Sequence, residues 1–170
     1  MKTHSISAWL LFACVPYLPV AHCTERVGDA SYAYAFEQLA NAVTALEDDC
    51  LASIESTPEE GRFNLYRNYN QLAGTWVQVE FLQTLLDLAI ASTSRLDEAE
   101  IRTMLRDHAQ YVLWELDHAI ADLEANAPDA NQLNQLWVNV GIRSLLSNVK
   151  LTVNRLLVDQ CADAPCAVAH

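Results

Sequence analysis

The spacing of apolar residues is the feature of this chain that most restricts its fold. Between residues 31 and 56 they recur after four and three residues in turn, the steps that return a side chain to one face of an α-helix. The residues of this stripe are Tyr32, Phe36, Leu39, Val43, Leu46 and Cys50. The strict alternation of a half-buried β-strand is absent from the sequence, so the pattern predicts an all-α fold.

The same spacing predicts four helices, over residues 31–56, 58–91, 95–125 and 130–159. Residues 57–60, Thr-Pro-Glu-Glu, read as a capping box with proline at the first helical position, and residues 129–132 read as the cap of the fourth helix. Connections this short favour antiparallel neighbours. The expected fold is an antiparallel up-down-up-down four-helix bundle, formed as a single domain by residues 24–170.

The second helix has an apolar face that changes position at Gly74. Before the glycine the face consists of Leu65, Tyr69, Leu72 and Trp76. After it the face consists of Val77, Phe81, Leu85 and Leu88. A straight helix cannot turn both faces into one core, so we expect a kink near Gly74 and Thr75. The alternative is that half of the helix contacts something outside the bundle.

The first 23 residues have the three regions of a secretory signal peptide. Lys2 provides the positive charge, residues 6–15 form an apolar core, and Ala21 and Cys23 stand at the −3 and −1 positions of a cleavage site. The apolar run is too short to span a membrane. We expect cleavage after Cys23 and no stable membrane anchor. A lipoprotein modified on Cys23 is the alternative, disfavoured because the bulky His22 precedes it.

Export and the absence of any Asn-x-Ser/Thr sequon indicate the bacterial periplasm, where disulfides form. Cys161 and Cys166 lie close in sequence after the fourth helix, and we expect them to form a local disulfide. Cys50 belongs to the far end of a helix about 40 Å long, so it is expected to be buried and reduced. The spacing of the pair matches neither a zinc motif nor a thioredoxin motif.

The chain is acidic, with 22 Asp and Glu against 10 Lys and Arg and a formal charge of −12. A nucleic-acid partner would require a clustered positive surface, and an anionic membrane would repel the chain. The charge is instead compatible with a protein partner that is more basic than this chain.

Motifs that carry catalytic or metal chemistry are missing from the sequence. Glu115 and His118 match the Glu-x-x-His pattern of di-iron bundles, but only one copy occurs, and Glu115 and the preceding His108 lie well off the apolar stripe. Nucleophile elbows, zinc-protease motifs, phosphate loops and haem-attachment motifs are absent. The sequence therefore predicts no catalytic residue, no metal site and no cofactor.

The outer face of the third helix is the strongest candidate for a binding surface. It carries, at spacings of four, three and four, Asp107, Tyr111, Trp114 and His118. Trp114 stands about 180° from Leu105 of the apolar stripe at 100° per residue. Large aromatic residues that point away from their own core are frequent at protein–protein contacts. The alternative is that this face packs on another helix of the bundle or on a dimer mate.

Two further segments suggest contacts. Residues 62–71 mix aromatic and hydrogen-bonding side chains, and Tyr66, Tyr69 and Trp76 are candidates for a ligand cleft between helices. The first half of the fourth helix is apolar nearly all round. One side has Leu133, Leu136, Trp137 and Val140, and the other has Val138, Ile142, Leu145 and Leu146. Such a helix is either central or covered by a second chain, which makes a homodimer possible.

Together these features predict a non-enzymatic periplasmic bundle that binds another exported protein, as an inhibitor or immunity protein of a toxin or enzyme. The alternative is a periplasmic bundle that binds a small ligand or a metal.

Overall fold

The computed structural model describes residues 28–91 and 98–162. This part of the chain folds into four long helices: α1 (Asp29–Ser56), α2 (Arg62–Ala91), α3 (Glu98–Ala125) and α4 (Leu133–Ala162). A short 3-10 helix, Glu59–Gly61, precedes α2, and the described residues contain no β-strand. The predicted all-α bundle is confirmed. The signal-peptide assignment concerns residues 1–23, which lie outside the described residues.

The helix boundaries differ from the predicted ones where a capping residue has another role. The Thr57 hydroxyl donates to the Ser53 carbonyl at 2.7 Å, so it closes the end of α1 and is not free to cap the next helix. A single 3-10 turn follows Pro58, and α2 begins at Arg62, not at residue 58. The predicted capping box is therefore wrong.

The ends of α1 and α4 also differ from the prediction. The Asp129 carbonyl accepts the Gln132 amide at 2.9 Å in a turn, so α4 begins at Leu133 and not at residue 130. It continues to Ala162, beyond the predicted end at residue 159, while α1 begins at Asp29, before residue 31. The predicted start of the third helix at residue 95 falls outside the described residues.

Helix α2 buries one continuous stripe along its whole length. The stripe consists of Leu65, Asn68, Leu72, Thr75, Val79, Leu82, Leu86 and Ala89. Two of its members, Asn68 and Thr75, are polar. The regular spacing of the stripe is therefore not visible from the positions of the apolar residues alone. Of the second predicted face, Val77, Phe81 and Leu88 are exposed, whereas Leu85 is buried in the core. This single stripe removes the reason for expecting a kink near Gly74.

The hydrophobic core lies between the four helices. Helix α1 packs against α2 and α4, α3 packs against the same two helices, and α2 also touches α4 across the centre. The largest fully buried side chains include Phe36, Leu65, Leu86, Leu116, Ile142 and Leu156. Within the described residues, no helix combines the length and the apolar content needed to cross a lipid bilayer.

Hydrogen bonds show which ends of α1 lie beside its neighbours. The Tyr32 hydroxyl, near the start of α1, donates to the Asp159 carboxylate near the end of α4 at 2.6 Å. The Cys50 thiol, near the end of α1, donates to the Leu65 carbonyl near the start of α2 at 3.4 Å. The start of α1 therefore lies beside the end of α4, and its end lies beside the start of α2.

Helix α3 has equivalent contacts at its end. The Arg67 guanidinium, near the start of α2, donates its Nε–H to Asp122 near the end of α3 at 3.0 Å. The Asn139 side-chain amide of α4 donates to the Leu123 carbonyl at 3.1 Å. The end of α3 thus lies beside the start of α2 and the first turns of α4.

Helix α4 has a buried side and an exposed side. Val138, Ile142 and Leu146 are in the core, whereas Val140 is exposed and Trp137 keeps 73% of its surface accessible. The option of a helix buried on all sides therefore does not apply, and the outer apolar side faces solvent.

Candidate functional site

The buried stripe of α3 determines which of its side chains point outwards. It consists of Ile101, Leu105, Ala109, Val112, Leu116, Ala119 and Leu123. On the opposite side, Tyr111 is 43% exposed and Trp114 is 54% exposed. Asp107 and His118 are exposed as well. All four residues predicted as a partner-binding surface thus lie at the surface, and Trp114 is not packed inside its own bundle.

A line of five rings runs along this surface, and we call it the aromatic row: Phe81, His108, Tyr111, Trp114 and His118. Phe81 of α2 meets His108 edge to face with ring centroids 4.7 Å apart. His108 and Tyr111 are 5.8 Å apart, and Tyr111 stacks on Trp114 at 6.1 Å. Trp114 and His118 are 4.1 Å apart. Most of these separations are typical of interacting aromatic pairs, so each ring supports its neighbour.

Hydrogen bonds to the helix backbone hold both imidazoles of the aromatic row. His108 Nε2 lies 2.9 Å from the Gln78 carbonyl oxygen, and His118 Nδ1 lies 2.7 Å from the Trp114 carbonyl oxygen. A carbonyl can only accept, so these two ring nitrogens carry hydrogens and donate. The His108 bond also ties α3 to α2.

The phenol of the aromatic row is held by a carboxylate of its own helix. The Tyr111 hydroxyl donates to Glu115 Oε1 at 2.5 Å, and this hydrogen bond raises the pKa of Tyr111. The row therefore presents its rings in set orientations, and less side-chain entropy is lost when a partner covers them.

Two members of the aromatic row were not in the predicted surface. In the sequence, His108 is notable only beside the Glu-x-x-His pattern, and Phe81 belongs to the apolar face that follows Gly74 in the second helix. Phe81 could have been found from the second, outward apolar face of α2, since a helix with two apolar faces must expose one. Asp107 was predicted and is exposed, but it has no ring contact and lies beside the row.

Charge is distributed unevenly around the aromatic row. Helix α3 contains seven acidic and two basic residues, and α4 contains one acidic and three basic residues. The helix that carries most of the row is therefore net negative, although cations of α2 and α4 bind Asp117, Asp122 and Glu124. A cationic surface would be attracted to it, and the attraction would weaken with salt.

The three residues predicted to line a ligand cleft have different surroundings. Trp76 is only 7% exposed and belongs to the core, Tyr69 packs partly buried against the core, and Tyr66 is exposed. A depression of about 330 Å³ lies elsewhere, between the end of α1 and the start of α4. Its lining is Ser56, Thr57, Pro58, Asn131, Gln132, Leu133, Asn134 and Gln135. It contains none of the three aromatic residues.

The Glu-x-x-His pair is part of the aromatic row and not of a buried cluster. Glu115 accepts the Tyr111 hydroxyl, and His118 is bonded to its own helix through Nδ1. Over residues 28–91 and 98–162, no three His, Cys, Asp or Glu side chains are grouped closely enough to hold a metal ion.

Cys50 is buried with a free thiol. Burial raises its pKa to about 11. The backbone of Cys161 lies in the last turn of α4, not in a loop after the helix. The side chain of Cys161 and the whole of Cys166 fall outside the described residues, so their disulfide stays a prediction.

Comparison of the chain with family models, with curated proteins and with solved structures found no match. The fold and the surface therefore define the class: an all-α helical bundle with an aromatic row exposed on an acidic helix.

Proposed function

We propose that the protein is a non-enzymatic periplasmic bundle that binds a second, more basic exported protein through the aromatic row. Its role would be that of an inhibitor or immunity protein for a toxin or enzyme. The proposal includes removal of residues 1–23 and an up-down-up-down topology, which the end-to-end hydrogen bonds of the helices support. The observation that carries it is a line of five exposed or half-exposed rings, four of them on the acidic helix α3 and one on α2.

The aromatic row has the composition of a binding hot spot. Tryptophan and tyrosine contribute large apolar areas and one hydrogen-bonding atom each, and they are over-represented among residues whose truncation weakens protein–protein binding. Trp114 is more than half exposed in the free protein. Burying its side chain would contribute roughly 2 kcal/mol of favourable free energy. Covering it with a partner recovers that contribution.

The surrounding carboxylates favour a cationic partner. Asp107 is exposed beside the row, and the negative charge of α3 would accelerate association with a basic surface. The expected complex therefore forms more slowly as ionic strength rises.

The aromatic row also stands on a rigid support. At one end of α3 the Asp122 carboxylate is bound by Arg67 of α2, and at the other Arg102 donates to Gln160 of α4 at 2.8 Å. Because both ends of α3 are bound to neighbouring helices, we expect its outer face to change little in shape on binding.

Affinity capture from periplasmic extract tests the proposal. We expect the purified protein to capture a stoichiometric, basic partner, and Trp114→Ala to weaken the complex by at least about 30-fold, which corresponds to about 2 kcal/mol. Tyr34→Ala is the matched control, since Tyr34 is an exposed aromatic residue of α1, a helix that carries none of the five rings of the aromatic row. Circular dichroism should show both variants folded.

Two results would contradict this function. One is a partner lost equally with Tyr34→Ala and Trp114→Ala, which would place the contact elsewhere. The other is native mass spectrometry that finds a bound small molecule or metal and no protein partner.

A further inference from the structure

Helix α4 carries on its outer side a second line of uncharged residues, five apolar and three polar, which we call the outer α4 seam. Its members are Leu133, Trp137, Val140, Ser144, Ser147, Leu151, Asn154 and Val158. All eight are exposed, and they follow one another at spacings of four and three residues without interruption. That is the repeat with which one helix packs along another in a coiled coil. The inner face of α4 already packs in the bundle, so the outer seam is a second, unused packing face.

The residues of the outer α4 seam are placed symmetrically about its midpoint. Its members form pairs at equal distances from a point between residues 145 and 146. The pairs are Leu133 with Val158, Trp137 with Asn154, Val140 with Leu151, and Ser144 with Ser147. When two identical helices meet antiparallel across a two-fold axis, each residue faces the other member of its pair.

Antiparallel pairing would therefore give favourable contacts along the whole seam. Val140 would meet Leu151, and the two small serines nearest the axis would allow the helices to approach closely. The indole N–H of Trp137 would face the Asn154 amide, whose oxygen can accept it. No large apolar residue of the seam would face a charge.

The local charges of α4 permit a second copy at this position. The outer α4 seam contains no carboxylate, although the chain has a formal charge of −12. The two cations nearest the middle of α4 are paired within the chain, since Arg143 donates to Glu124 at 2.5 Å and Lys150 bonds Asp117. Two copies could thus approach through α4 without strong repulsion, whereas their acidic α3 faces would repel each other.

We propose that the outer α4 seam is the contact of a homodimer, formed by α4 of one copy and α4 of a second copy in antiparallel orientation. The seam is about 39 Å long, at about 1.5 Å per residue, and a helix is about 10 Å wide. The footprint is then about 400 Å² per copy, half of the roughly 800 Å² of a standard interface. The dimer is therefore weak and forms reversibly with rising concentration. The aromatic row stays free, because it lies on the side of α3 that meets α2.

Sedimentation equilibrium of the purified protein over a range of concentrations tests the dimer. We expect reversible monomer–dimer behaviour, with the dissociation constant raised at least tenfold by Val140→Glu alone and by Leu151→Arg alone. The double variant should return to within threefold of the original value, because the new opposite charges face each other only in the antiparallel pair. Both positions are exposed, so the variants should keep the fold, which circular dichroism verifies.

The controls separate this dimer from the function proposed above. Trp114→Ala should leave the monomer–dimer equilibrium unchanged, and Val140→Glu should leave partner capture unchanged. A protein that stays monomeric at every concentration overturns the proposal, even if the seam binds some other partner. A dimer that ignores Val140→Glu, or one that the double variant does not restore, overturns it as well.

Discussion

Two asparagine side chains are buried inside the largely apolar core of the bundle. Asn68 and Asn139 are buried in the stripes of α2 and α4, and Asn68 Nδ2 and Asn139 Oδ1 have no hydrogen-bond partner among the described residues. Leaving such an atom unpaired costs roughly 1–3 kcal/mol. These two amides therefore interrupt the apolar packing at the end of the bundle where α2 and α4 begin.

The Cys50 thiol is a buried group whose chemistry follows from its position. Because burial raises its pKa to about 11, only about one thiol in a thousand is ionised at pH 8, and the sulfur is also out of reach of solvent. We expect Cys50 to react with iodoacetamide at least 100-fold more slowly in the folded protein than in urea. Peptide mass spectrometry measures the rate, and equal rates in the two states would contradict the burial.

Two glycines on the helices differ in the space around them, which allows a matched test at the scale of the element. A Cβ added at Gly74 of α2 would meet nothing within 4 Å, whereas one added at Gly141 of α4 would lie 3.0 Å from Leu46 Cδ2. Gly74 is also exposed in the middle of α2, where glycine is a poor helix former.

Gly74→Ala should therefore raise the free energy of unfolding by about 0.5–1 kcal/mol. Gly141→Ala should raise it less or lower it, because the Leu46 side chain must move. Urea denaturation of the two variants measures the difference. If Gly74→Ala destabilised the protein, α2 would have to bend at that glycine, as the sequence alone suggested.

The existence of each helix was predictable, and several ends were not. The four-and-three spacing is local, so it is readable without knowing the neighbours. From the sequence, Thr57 could cap the helix that follows it or close the helix that precedes it. In the structure its hydroxyl donates to the Ser53 carbonyl, so it closes α1. In the same way, Asn68 and Thr75 lie in a buried stripe only because other helices cover them.

At the scale of the whole molecule, the hydrogen bond from Tyr32 to Asp159 joins the first helix to the last. Burial first, and then this hydrogen bond, raise the pKa of the Tyr32 phenol above its ordinary value of 10.0. Because the folded protein favours the neutral phenol, the contribution to stability is complete below pH 10. It is lost as the pH rises towards the pKa of the folded state.

We therefore expect the free energy of unfolding to fall above pH 10, and this fall to be smaller in Tyr32→Phe. At pH 7 the same variant should be about 1–2 kcal/mol less stable, because a part-buried hydrogen bond to a carboxylate is lost. Tyr34→Phe, a change at an exposed tyrosine of the same helix, is the control and should keep the alkaline fall. Urea denaturation at several pH values measures both effects. An unchanged pH profile in Tyr32→Phe would contradict the assignment.

Part of the candidate surface was predictable for the same reason as the helices. Tyr111, Trp114 and His118 share one helix, so their common face follows from spacing alone. Phe81 and His108 meet across α2 and α3, and the alignment of two helices along each other depends on how their side chains interlock. That alignment is a tertiary property, so no pattern within one helix contains it.

The sequence by itself determined the four long helices of residues 28–91 and 98–162, the apolar stripes of α1 and α3, and that Trp114 points away from its own stripe. These are consequences of the helical repeat, which acts between residues three and four apart. The tertiary structure decided which polar residues are buried, where the helices end, and that a ring from α2 completes the aromatic row. Those outcomes depend on contacts between residues distant in sequence, and such contacts exist only once the helices have packed.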